Sequence, residues 1–324
     1  MSGAVHASGG RANYVRIRPC CPVRPARIPR PAWTPRARMH FLDADDRPSK
    51  GDAAHAQFPW LRPGVLSIPM LPDQAARVLQ LASDPDVTVS KLAGLVSKDP
   101  ILATRVVGLA NSAIFGALTP LRSVQDAVVR LGVSCVRNAV VTVSMHAQVA
   151  SPQTYGSEGP RFMDHAVGTA YLARLIAGET DGDVEGAFLT GLLHDIGKLV
   201  ILKTAFDHQR RTGATIHAEE RNAALALAHA QCGALALHFW CLPDDILDVV
   251  RHHHDHAMAV DRRPAAVCHA ANFLSHRYGF GCTPEGDRSL DDPVWAELGL
   301  DSTWIAYADA HAPGLFNAAR QTLV

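Results

Sequence analysis

Residues 191–202, GLLHDIGKLVIL, place a histidine and an aspartate side by side in an otherwise almost wholly apolar run. A buried imidazole or carboxylate without a partner costs about 2–7 kcal/mol. His194 and Asp195 must therefore face solvent or meet groups inside the fold that satisfy them. A chain with this run either leaves an apolar helix face in water or builds a polar interior, and the second outcome would define its chemistry.

The surrounding pattern is helical. In LPDQAARVLQLASD, Pro72 stands near a helix start, and Ala75, Val78, Leu79 and Ala82 fall on one face. TVSKLAGLVSKD repeats the period with Leu92, Leu95 and Val96. In DPILATRVVGLANSA, Asp99 is an N-cap before Pro100, and Leu102, Val106, Leu109 and Ala110 form the apolar stripe. SVQDAVVRLG has capping-box spacing, Ser123 to Asp126, and stops at Gly132. NAVVTVSMHAQV is β-branched enough for a strand; its helical neighbours make it a helix. The expected fold is all-α from about residue 58, in two lobes, with SPQTYGSEGP at 151–160 as a turn-rich connector.

Twelve of the seventeen histidines lie between His165 and His276. Periodicity sorts them. His165 shares a face with Thr169, Leu172 and Ile176; His229 aligns with Leu225, Cys232, Gly233 and Ala236. The stripe of Ile246, Val249 and Val250 continues into His253 and His254, whereas His252 and His256 fall off it and should be solvated, as should Asp255. His208, His217 and His311 have no such placement. Five histidines and Asp195 thus point inward, and imidazoles desolvated together are commonly compensated by a divalent cation. All-N/O ligation with one carboxylate suits Fe, Mn, Ni or Zn better than Mg or Ca.

These segments resemble a known family. DPILATRVVGLANSAIFG followed by LRSVQDAVVRLGV is similar to the first half of an HDOD module. GLLHDIGKLVIL together with AHAQCGALALHFWCLPDDILDVVRHHHD is similar to its second half, an HD-superfamily helical core. The resemblance covers about residues 58–310. It implies an N-terminal helical half at 58–150 and the HD-like core with C-terminal helices at 151–324; residues 1–57 lie outside it, and their Arg/Pro-rich composition without an apolar period makes them a leader expected to lack stable structure. It further implies that His165, His194 and Asp195 bind a first metal. Asp195 would bridge to a second held by His229, His253 and His254. Lys198 would offer a cation to a substrate phosphate, the alternative being a surface lysine near a helix end. If the chain is an enzyme, Asp195 and Lys198 are the residues expected to act. Catalytic members carry a further Asp about where this chain has Asn272, and the Gly-Tyr-Pro signature of the cyclic-di-GMP branch is absent. His269 and His276 share a face with Asn272; they either substitute for the missing Asp or lie at the surface, and the surface is the favoured placement.

The resemblance and these departures imply a regulatory signalling module with a degenerate HD site, working through other signalling proteins or a nucleotide-type ligand. The alternative is a metal-dependent phosphohydrolase. Composition narrows the partners. Eight of the 31 basic residues and none of the 31 acidic ones fall in residues 1–42, so residues 43–324 carry a net charge of −8. An acidic body argues against a nucleic-acid face there. No run of about 18 apolar residues exists, so no membrane span is expected. The seven cysteines form no CxxC pair, and Cys135, Cys232 and Cys268 read as reduced core residues, pointing to a cytoplasmic setting.

Overall fold

In the computed structural model, residues 57–112, 115, 119–281 and 290–323 are described, and they contain helices and no strand. The expectation for the leader lies outside these residues. The first lobe comprises α1 (Asp73–Ala82), α2 (Val89–Val96), α3 (Pro100–Ala110), α4 (Val124–Leu131) and α5 (Val133–Val149). Its starts are chemically marked. Asp99 accepts from the amides of Ile101 and Leu102, and Ser123 Oγ accepts from Asp126 N at 3.0 Å. At Gly132 the chain turns by 112° between α4 and α5.

The β-branched segment is the central helix of this lobe. Cys135, Val136, Ala139, Val140, Val141 and Val143 are all buried, because α5 is covered by α1, α3 and α4 on one side and by α7 and α8 on the other. A helix wrapped by neighbours gains more from burial than its valines cost in helix propensity.

The second lobe comprises α6 (Pro152–Tyr155), α7 (Glu158–Glu179), α8 (Val184–Leu193), α9 (Ile196–Thr212), α10 (Ala218–Phe239), α11 (Asp244–His252), α12 (Arg262–Arg277), α13 (Val294–Leu298) and α14 (Ser302–Leu323). The stretch read as a turn-rich connector carries α6 and the start of α7. Helix α7 packs on α8 and α12, and α9 packs on α10. The α9–α10 contact is backbone on backbone: a Cβ at Gly197 would lie 1.8 Å from the His229 carbonyl oxygen and 2.6 Å from Gly233 N. Only glycine permits that approach, and it brings the start of α9 against the middle of α10.

The segment leading into α1 lies across the second lobe. Phe58, Trp60 and Leu61 are buried with Val200, Ile201, Ala224 and Cys232. Trp60 Nε1 donates to Glu220 Oε1 at 2.6 Å, Ser67 N to Thr204 Oγ1 at 2.9 Å, and Trp240 Nε1 to the Pro69 carbonyl at 3.0 Å. A larger apolar cluster runs from Leu71 through both lobes to Val250.

Candidate metal centre

His194 and Asp195 occupy the break between two helices. His194 caps the C-terminus of α8 and Asp195 stands at the N-cap of α9, so one joint carries both side chains inward. Both are buried, at 0% and 1% exposure. His165 reaches them from the middle of α7, His229 from α10, and His253 from the C-terminus of α11. Three other buried histidines share the interior with this pair.

The hydrogen bonds define the rings' orientation. Nδ1 of His194 lies 2.7 Å from the Gly191 carbonyl, Nδ1 of His229 2.6 Å from that of Leu225, and Nδ1 of His253 2.7 Å from that of Val250. His165 Nδ1 lies 3.2 Å from the Phe280 carbonyl and 3.1 Å from Ser275 Oγ. A carbonyl only accepts, so we assign the proton to Nδ1 in each ring, leaving a lone pair on Nε2. All these Nε2 atoms converge. His165 Nε2 is 3.3 Å from His194 Nε2, and His229 Nε2 is 3.3 Å from His253 Nε2. Facing lone pairs at that distance repel unless a cation lies among them.

Asp195 stands between the two pairs with one oxygen for each. Oδ2 faces His194 Nε2 at 3.3 Å and His165 Nε2 at 3.5 Å; Oδ1 faces His229 Nε2 at 3.2 Å and His253 Nε2 at 3.6 Å. Oδ1 is buried and has no hydrogen-bond donor. Burial would raise its carboxyl pKa, but the Lys198 ammonium, 2.5 Å from Oδ2, holds it well below the usual range. Burial pushes His165 down to about 3 and lowers His229 and, more strongly, His253. The rings of His165, His229 and His253 are therefore neutral at neutral pH, as metal ligands must be.

His254 differs from expectation. Its residue surface is exposed although its Nε2 turns in, 2.8 Å from that of His229. Burial and His229 bring its pKa down to about 4. The ligand atoms form two groups, His165–His194–Asp195 and Asp195–His229–His253–His254, each within 4.8 Å of one another. Neutral Nε2 atoms oriented by backbone carbonyls, around an unpaired carboxylate oxygen, fit a transition-metal ion.

Helix α12 corrects the surface placement expected for His269 and His276. His269 Nδ1 donates to the His253 carbonyl at 3.0 Å, while its Nε2 lies 3.1 Å from Asp292 Oδ2. The His276 ring packs 4.8 Å from that of His165. Asn272 lies between them on the same helix face, its Oδ1 buried without a partner. Ser275, which braces His165, gave no signal in the sequence, since its role depends on which helix lies opposite. Gly281 (φ 68°) completes that brace: a Cβ there would lie 2.0 Å from the Arg161 carbonyl oxygen. His252 and His256, expected in solvent, are half-buried on carboxylates instead, at 3.0 Å from Asp248 and from Glu297. Asp255 is exposed, as expected. A cleft of about 320 Å³ opens beside the centre, lined by Arg161, Phe162, His165, Asp195, Lys198 and His276 among others.

Helices in this order around a histidine–aspartate centre define an all-α protein with a candidate metal centre. Residues 68–256 match the HDOD domain, and the chain belongs to that family. It is 28% identical over 198 residues to an uncharacterized protein of Treponema pallidum (strain Nichols), covering 58% of this chain and 38% of that one. It is 26% identical over 155 residues to Ribonuclease Y of Nitratiruptor sp., covering 48% and 25%. The chain thus spans well under half the length of these curated relatives. Among solved structures, an HDOD domain protein of unknown function from Geobacter sulfurreducens superposes with a TM-score of 0.60 at 25% identity, covering 81% of this chain and 95% of that one. A Shewanella amazonensis protein, provisionally named a metal-dependent phosphohydrolase, gives 0.64 at 17%, covering 85% and 99%, a likeness of fold. No single described helix is long and apolar enough to cross a membrane.

Proposed function

We propose that this chain is a signal-transduction module. In this reading its HD-like core holds a divalent transition metal, of the Fe, Mn, Ni or Zn type, and acts by binding a nucleotide-type ligand or a signalling protein rather than by turnover. The observation that carries this reading is the single carboxylate. Asp195 is the only acidic side chain in either ligand group among the described residues, and Asn272 supplies an amide on the neighbouring face. Two close divalent cations repel, and carboxylates or hydroxide must offset that repulsion. With one carboxylate among imidazoles the second cation is held weakly. The hydroxide nucleophile and the two-metal clamp of a phosphohydrolase are then incomplete.

A second reading, the metal-dependent phosphohydrolase, is favoured by the one-oxygen-per-group geometry of Asp195. Metal counting separates them, paired with turnover on phosphomonoesters and cyclic dinucleotides. The regulatory reading expects at most one tightly held metal per chain and negligible hydrolysis in the wild type. Asn272→Asp should raise the metal count towards two. Two tight metals with brisk turnover in the wild type would establish the enzyme instead.

A further inference from the structure

The rings of the centre are not all held in the same way. Nδ1 of His194, His229 and His253 each meets a carbonyl three or four residues back in the chain, so local helix geometry orients those imidazoles. His165 is the exception. Its Nδ1 partners, the Phe280 carbonyl and Ser275 Oγ, stand 115 and 110 residues away in sequence. The direction of its Nε2 therefore depends on how the end of α12 and the turn after it are docked.

Residues 278–281 form that turn, and two helices clamp it. On the α7 side the fit is close: a Cβ at Gly168 would lie 2.5 Å from the Phe280 ring. On the α14 side Phe316 stacks on Phe280, with ring centroids 4.1 Å apart and planes 17° apart. Asp309 accepts from the Tyr278 hydroxyl at 2.8 Å and pairs with Arg277 at 3.6 Å. Arg320 Nε meets Asp164, the neighbour of His165 on α7, at 3.0 Å. Asp309, Phe316 and Arg320 fall on one face of α14, so a single helix face reaches both the turn and α7. The HDOD match ends at residue 256, and α12 to α14 lie beyond it.

We propose that Asp309 and Phe316 are positioning residues and that α14 is a strap governing the first ligand group. Clamped between Gly168 and Phe316, Phe280 cannot swing its carbonyl away from the His165 ring, and Asp309 fixes the approach to that turn. Seating α14 aims His165 Nε2 at His194 and Asp195. Lifting it frees the ring and takes that group apart, while His229 and His253 keep their own local acceptors. Groups that orient a ligating imidazole are worth about tenfold or more in metal affinity. That consequence rests on the metal-binding reading above; the hold on the ring does not.

Proton–nitrogen NMR spectra of the chelator-stripped full chain, labelled with ¹⁵N in its histidines, test this without metal, and calorimetric titration with Mn²⁺ adds the second readout. The ring N–H protons of His165, His194, His229 and His253 are assigned by replacing each histidine with Gln. Phe316→Ala and Asp309→Ala should each speed exchange of the His165 ring proton about tenfold, a local opening. The other three rings should exchange at the wild-type rate. Mn²⁺ should bind both variants about tenfold more weakly. Phe316→Tyr keeps the ring and Asp309→Asn keeps the acceptor, so both should restore the slow proton and the affinity. A His165 proton that exchanges at the wild-type rate in both alanine variants overturns the proposal. So does equal acceleration of all four rings, which reports lost stability rather than positioning. Selective acceleration at His165 with no Mn²⁺ bound by any of the proteins supports the strap and overturns the metal-binding reading alone.

Discussion

The protonation of His165 carries a consequence for stability. Its ordinary value of 6.5 is pushed down to about 3 in the fold, chiefly by burial. Between those values the unfolded chain binds a proton at this ring that the folded chain refuses, so stability rises with pH through the window and falls on acidification. In metal-free protein His165 alone should cost about 1.4 kcal/mol per pH unit below 6.5. His229 and His253 act in the same direction, and the partly exposed His254 less so. Asp195 works at lower pH: its stabilisation is present above 3.8 and is lost as pH falls further. Denaturant unfolding at pH 7.5, 6.0 and 5.0 checks this; equal stability at all three would contradict the buried, neutral ring. These inward histidines were legible because each interrupts an apolar stripe on its own helix. His269 and His276 were not, because α12 is apolar around much of its circumference, and periodicity alone does not tell which neighbour a given face meets.

At the level of elements, local chemistry was readable and long-range contact was not. Asp99 and Ser123 cap α3 and α4 as their spacing requires. The segment FPWLRPGVLSIP has no period of its own, because its place is set by Glu220, Thr204 and Trp240, more than 130 residues away in sequence. The α9–α10 contact was equally hidden: Gly197 and Gly233 are ordinary glycines until their helices meet. Gly197→Ala should force that contact apart, destabilise the fold by about 1–3 kcal/mol, and weaken metal binding, since it separates Asp195 from His229. Gly94→Ala is the control. It is exposed on α2 with nothing near its added Cβ, and should stabilise by about 0.5–1 kcal/mol. Paired denaturation curves and Mn²⁺ titrations of the two variants measure both effects, and unchanged metal affinity in Gly197→Ala would show that the α9–α10 approach does not set the ligand geometry.

Across the whole molecule the division of the sequence at residue 150 does not divide the core. Leu92, Val106 and Val140 belong to the same buried cluster as Met163, Leu192 and Val250, so heat should unfold both lobes in one transition. The candidate ligands come from four separate helical regions that meet only in the folded chain, so a metal binds the native state and has no comparable site in the unfolded one. Binding of that kind stabilises by about 2.7 kcal/mol at one hundred times the dissociation constant. For a body of this size each kcal/mol is worth about 2–4 °C, giving a Tm rise of about 5–10 °C with Mn²⁺ that a chelator reverses. Calorimetry with both lobes melting together and rising together is the expected result. If only one of two transitions moved with metal, the lobes would be energetically separate, and a ligand signal at the centre would have no route through the shared core to the first lobe.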